Sequence, residues 1–277
     1  EKNHVYQLES PTMWDVDFQT AVAQAEVEDR EKNGAYHDIE FGVFEEEAPV
    51  KSFVISTTRP ELLAACVGIT AHPDDERFKG LFGKHAVTPG FFAKVPIFPS
   101  TEADPEKGTG ILMVCTFGDQ TDVAWWREEE LELRQILGRN GRILDHQFGG
   151  DDGWSSTNPK KANANYQMIV GKRIPSAKSL VVNLMRDPAN SATGNDAPLQ
   201  DEPKQILHPV RYYEKGDSPL EYLTTRQWFV RMLDKTDQMI EMGRKINWHP
   251  EFMRKRYENW TENLNVDWCI SRQRYFG

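Results

Sequence analysis

Short apolar runs closed off by Gly and Pro constrain this chain more than any other feature. Phe53-Val54-Ile55 runs into Ser56-Thr57-Thr58-Arg59-Pro60-Glu61, and Gly108-Thr109-Gly110 precedes Ile111-Leu112-Met113-Val114-Cys115. Apolar runs of this length between breakers predict buried strands, here over 50–57 and 108–116. Val67-Gly68-Ile69-Thr70 and Lys94-Val95-Pro96-Ile97-Phe98 supply two more, and the density of Gly and Pro over 80–110 favours a compact barrel-like sheet over long βαβ units. The expected fold class is α+β: a compact β-barrel-like body decorated by helices.

The flanks read differently. His4–Leu8 and the alternating Tyr36–Phe44 are expected strands, while Trp14, Phe18, Ala21, Val22 and Ala25 recur at helical spacing. Asp119 and Asp122 resemble an N-cap with an acidic third position, opening a helix through Val123, Trp126 and Glu130. Residues 145–158 read as a loop, 160–170 and 176–186 as helices, and 187–204 as an exposed excursion. A segment containing Gln227–Met232 reads as a long helix with Met239 and Ile240 on the same face, and Pro250 as the start of a last helix through Phe252, Tyr257 and Trp260.

Composition narrows the function classes. With 277 residues the chain can bury a sizeable core, and its net charge of −10 argues against indiscriminate nucleic-acid binding. Residues 204–277 nevertheless carry 13 Lys+Arg against 10 Asp+Glu. That bias suits either solvated helix faces or one local phosphate-facing surface. No apolar run approaches the roughly 20 residues of a membrane span. Cys66, Cys115 and Cys269 have no paired spacing, and the seven histidines have no metal-ligand spacing. The expectation is a soluble, cytoplasmic protein without a bound metal; beginning at Glu1 rather than Met, it reads as a piece of a longer one.

Two strand ends carry the chemistry. Thr57, Thr58 and Arg59 suit either turn chemistry or hydrogen bonding to a polar substrate, with no neighbouring histidine in sequence to activate a threonine. Asp119 and Asp122 suit either helix capping or holding an ammonium or other cation from one helical turn. Cys115, inside an apolar strand, reads as core. Gly108-Thr109-Gly110 lacks the spacing and the Lys-Ser/Thr of a phosphate loop. Trp125-Trp126 reads as core and rim packing, and His72–Arg77 as a turn leading to a short helix.

The closing Trp268-Cys269-Ile270-Ser271-Arg272-Gln273 resembles the segment at which large class I aminoacyl-tRNA synthetases re-enter their catalytic domain after the editing insertion. Trp14–Val27, Ser56–Glu61, His72–Phe78, Gly83-Lys84, Gly108–Gly110 and Gln227–Val230 look, in the same order, like the valyl branch of that family. The resemblance covers nearly the whole chain and divides it into an N-terminal stalk (1–48), an editing core (49–210) and a returning stalk (211–277).

That resemblance implies hydrolysis of threonine mischarged on valine tRNA, with the tRNA acceptor end and the synthetase's own catalytic domain as partners and no membrane. It implies no cofactor for this chain, which lacks the His-Ile-Gly-His and Lys-Met-Ser-Lys-Ser type sequences that serve ATP and Mg. Thr57, Thr58, Arg59, Glu61, Met113, Cys115, Asp119 and Asp122 would line the substrate site, with Thr58 and Asp122 closest to catalysis. Asp122 would meet the α-ammonium and Asp119 the threonine hydroxyl. The chain departs from the common Lys-x-Thr-Pro-Ala-His-Asp: Met113 replaces the lysine, Cys115 the threonine and Gly118 the histidine. No cysteine pair stands at 211–218, so no metal is expected there. A tRNA-binding module without hydrolysis, or a structural spacer, are the competing readings.

Overall fold

A computed structural model describes residues 4–44, 51–150, 153–194 and 196–273. In chain order the strands and helices are β1 (Val5–Asp15), β2 (Thr20–Ala21), β3 (Val27–Val43), β4 (Ser52–Thr57), β5 (Cys66–Ala71), β6 (His85–Val87), β7 (Lys94–Pro99) and β8 (Ile111–Cys115). Next come α1 (Gln120–Glu128), α2 (Pro159–Gln167), α3 (Ile174–Met185), β9 (Lys204–Tyr213), β10 (Glu221–Val230), α4 (Thr236–Arg244), α5 (Met253–Glu262) and β11 (Trp268–Cys269). The fold is α+β. Contacts divide it into one unit of 1–28, 211–220 and 224–277 and a larger one of 29–210 and 221–223.

The larger unit is built on a curled mixed sheet of order β4-β3-β6-β7-β5-β8, with β9 paired to β3. Only β5 and β7 run parallel among the pairs whose register is given. The end strands β4 and β8 lie against each other, so the sheet turns back on itself as a barrel-like body. β4 alternates as its sequence demands, burying Phe53, Ile55 and Thr57. β5 is buried at every position, because its small and aliphatic side chains are covered on both faces. Ile39, Phe41, Ile55, Leu63, Ile69, Ile97 and Ile111 are fully buried between these strands, each worth about 1.5–3 kcal/mol of transfer free energy. Residues 145–158 form a loop as expected among the described positions, yet Phe148 and Trp154 anchor it on Phe91 and Tyr166.

Several sequence expectations need correction. Residues 14–25 are not a helix. Asp15 Oδ1 accepts the Phe18 N–H at 2.6 Å and Gln19 takes a φ of 49°, turning the chain into a hairpin that pairs Trp14 with Ala21. Gln227–Met232 is not helical either: Val230 ends β10, whose burial alternates Thr225 and Gln227 inward against Arg226 and Trp228 outward. α1 stops at Glu128, short of Glu130, which has a φ of 49°. Pro175 lies inside the first turn of α3, and α5 starts at Met253, beyond Pro250. Residues 187–204 are not wholly exposed: Asn190, Ser191 and Leu199 are buried, and Leu199 bridges Ile39. Trp268 and Cys269 form a short strand against β10, and 274–277 lie outside the described residues. No helix among the described residues is long and apolar enough to cross a membrane.

Candidate functional site

Thr57 is the last residue of β4, with its side chain turned inward. Its Oγ1 accepts the Arg59 N–H at 3.0 Å, a local turn that, with Pro60 opening a short 3₁₀ segment, sets the exit direction of the chain. Thr58 is half-buried, and its carbonyl accepts Lys178 Nζ of α3 at 2.6 Å. Arg59 donates from Nε to Glu61 Oε1 at 3.0 Å, from Nη2 to Glu221 Oε2 at 2.8 Å and from Nη1 to the Gly118 carbonyl at 3.3 Å. Both carboxylates are buried, and Glu61 Oε2 has no hydrogen-bond partner.

The facing wall is the turn from β8 into α1. Asp119 caps the helix, its Oδ1 accepting the N–H groups of Thr121 and Asp122 at 2.8 and 3.1 Å. Asp122 reciprocates: Oδ2 accepts from Gly118 at 2.8 Å and Asp119 at 3.1 Å, and Oδ1 from Cys115 at 3.0 Å. Asp119 is exposed and Asp122 is buried. Burial, followed by the charge of Asp119, pushes Asp122 up to about 7, against the pull of those three N–H groups. An α-carbon substituent at Gly118 would stand 2.6 Å from Asp122 Oδ2, so a larger residue there requires that carboxylate or the loop to shift.

The two walls touch. Thr116 N donates to the Ala65 carbonyl at 3.1 Å, Cys115 Sγ lies 3.5 Å from the Leu62 carbonyl, and Arg59 reaches Gly118. Met113 and Cys115 share a face of β8, while Leu112 and Val114 pack on Val67, Phe98 and Trp125. Met113 is half-buried. Burial pushes the Cys115 thiol well up, which keeps it a thiol and agrees with its reading as core. Trp125 is core and Trp126 packs edge-on to Phe117 at its rim.

Three residues that sequence reasoning missed join this cluster. Lys178 lies between the buried Ala177 and Val181 of α3, a cation on the edge of an apolar stripe, and that position is legible in the sequence. His37 stands opposite Thr57 in the β3–β4 register, with Nδ1 3.3 Å from the Thr57 carbonyl. A histidine is therefore close to Thr57 after all, but on its backbone and not its hydroxyl; burial lowers its pKa and keeps it neutral. Glu221, 162 residues from Arg59, has no local signal at all. Among the described residues no group of His, Cys, Asp and Glu is arranged to hold a metal ion.

Residues 1–277 match the family model of tRNA synthetases class I (I, L, M and V), and the chain belongs to that family. Within the class, its similarity is to valine–tRNA ligases. It is 48% identical over 281 residues to the enzyme of Leifsonia xyli subsp. xyli, 45% over 280 residues to that of Thermobifida fusca and 48% over 280 residues to that of Salinispora arenicola. Each alignment takes in 100% of this chain and 30% of the relative, so the chain spans about a third of the length of these ligases.

Proposed function

We propose that this chain hydrolyses the ester of threonine mischarged on valine tRNA. The observation that carries this reading is the meeting of the Thr57–Glu61 strand end with the Asp119–Asp122 helix cap, joined by the Arg59–Gly118 hydrogen bond. One wall offers hydroxyls and a fixed guanidinium to an adenosine ester, and the other offers carboxylates to an amino acid. An apolar synthetic pocket cannot strongly reject an isostere that merely adds a hydroxyl, so a second site that reads the hydroxyl is needed.

In this reading Asp119, whose Oδ1 is held by the helix N-terminus, accepts the threonine hydroxyl with its outward oxygen. Valine would leave that acceptor desolvated and unpaired, a penalty of about 1–3 kcal/mol. Asp122 meets the α-ammonium, which favours its ionised form. Thr57, Thr58 and Arg59 hold the ester and terminal adenosine, with Glu61 and the Met113–Cys115 face lining the site. A positioned water attacks the ester carbon, the bond to the ribose oxygen breaks, and that oxygen takes the proton. Threonine and uncharged tRNA leave; no protein nucleophile is needed.

The test is to incubate the chain with threonyl- and valyl-valine-tRNA. Selective loss of the threonyl ester, abolished in Asp122→Ala, is the expected result. Equal decay with and without protein rejects hydrolysis. Salt-sensitive tRNA binding alone would then mark a docking module, and neither activity would mark a spacer.

A further inference from the structure

Arginine carries five N–H groups, and at Arg59 the protein occupies three of them, on Glu61, Glu221 and the Gly118 carbonyl. The guanidinium makes no other hydrogen bond among the described residues, and its side chain is 25% exposed. One N–H on Nη1 and one on Nη2 are left. The three restraints differ in origin. Glu61 is two residues away and reaches Nε from the same turn. Glu221 arrives from the first position of β10, and its side chain is 4% exposed.

A carboxylate buried this deeply gains little net stability from its ion pair, because desolvation offsets the attraction. Here two buried carboxylates face one guanidinium, and the nearby ammonium of Lys178, on the Thr58 carbonyl, is the second cation of the cluster. His37 adds no charge in its neutral form. Lys32 adds a further positive charge to the field at Glu221 and Lys178, and Arg59 is held in direction by three hydrogen bonds. An arrangement weak in stability but strict in geometry fits a group that must be aimed.

We propose that Glu221 is a positioning residue, which through Arg59 Nη2 holds the guanidinium so that its two remaining N–H groups face the oxygen acceptors of an aminoacyl-adenosine. The proposal rests on the editing reading for the identity of that ligand. Since the bound ester meets these N–H groups before any chemistry, Glu221 acts mainly on substrate affinity.

A double-mutant cycle on the 277-residue chain tests this, using Glu221→Gln, Arg59→Lys and the pair. KM and kcat are read for threonyl-valine-tRNA hydrolysis. Independently of turnover, affinity is read for 3′-(threonylamino)-3′-deoxyadenosine, and rotation about the Arg59 Cζ–Nη bonds is read by NMR. Glu221→Gln should raise KM, and weaken analogue binding, about tenfold with kcat changed less than about threefold. It should also speed Nη rotation, and add nothing further in the Arg59→Lys background. Unchanged KM and rotation, or a full additional effect in that background, would overturn the proposal. If Glu221→Gln does not fold, Glu221→Asp, which withdraws the charge by one methylene, takes its place in the same cycle. A wild-type chain that leaves the ester intact rejects the editing reading alone; analogue affinity and Arg59 rotation then still decide for or against Glu221.

Discussion

Asp122 Oδ1 accepts the backbone N–H of Cys115 at 3.0 Å, so one carboxylate ties the first turn of α1 to the last residue of β8. The same carboxylate, pushed up to about 7 by burial and by Asp119, makes the site pH-sensitive. Its folded value lies above the ordinary 3.8, so as pH rises the unfolded chain releases this proton first. Between about pH 4 and pH 7 the folded form therefore binds more protons, and its stability falls with pH until Asp122 ionises. Urea unfolding across this range should show wild type losing stability relative to Asp122→Asn; parallel profiles would contradict it. If the anion serves the ester, enzyme-dependent hydrolysis should rise through about pH 7.

Gly118→Ala should be costly despite its size. The added carbon would stand 2.6 Å from Asp122 Oδ2 and 3.3 Å from Leu62 Cδ1, a crowding worth about 1–3 kcal/mol in a packed loop. Denaturant unfolding measures the loss, and threonyl-ester hydrolysis should fall with it. A variant as stable as wild type would show that the capping loop moves freely.

Lys178→Met keeps an apolar stem on α3 but removes the donor to the Thr58 carbonyl. The half-buried acceptor is left unpaired at a cost of about 1 kcal/mol. Its effect on hydrolysis should exceed its effect on stability, because Thr58 is then free to shift against the ester. The comparison of unfolding free energy with kcat/KM decides this: equal losses would make Lys178 a structural contact only.

Arg134→Met tests a buried brace outside the site. Arg134 is 1% exposed, donates to the carbonyls of Cys66 at 2.8 Å and of Gly153, and its N–H binds Thr116 Oγ1 at 3.0 Å. The buried Cys66 carbonyl would lose its donor at about 1–3 kcal/mol and the half-buried Gly153 carbonyl at about 1 kcal/mol, so the expected loss is about 2–4 kcal/mol. Unfolding free energies check it; a loss below about 1 kcal/mol would show that water or a repacked side chain replaces the guanidinium.

The strands β4, β5, β7 and β8 were legible because breakers bound each apolar run, and the Asp119 cap because its chemistry is local. Residues 14–25 and 227–232 carry an ambiguous signal for one reason: a few apolar residues fit both a period of 3.6 and a strand or hairpin. Asp15 and the pairing with Ala21 settled the first, and the inward and outward alternation of β10 the second.

At the site, the sequence by itself determined what forms within a few residues. These are the Thr57 turn onto Arg59, the Arg59–Glu61 pair and the reciprocal Asp119–Asp122 cap. Such contacts close short loops and need little chain entropy. Only the tertiary structure decided that Glu221, Lys178 and Gly118 converge on Thr58 and Arg59, and that Asp122 is buried enough to hold its proton near neutrality. Those contacts span up to 162 residues. Ordering so long a stretch of chain is offset by the whole packed sheet, so no local signal could announce them.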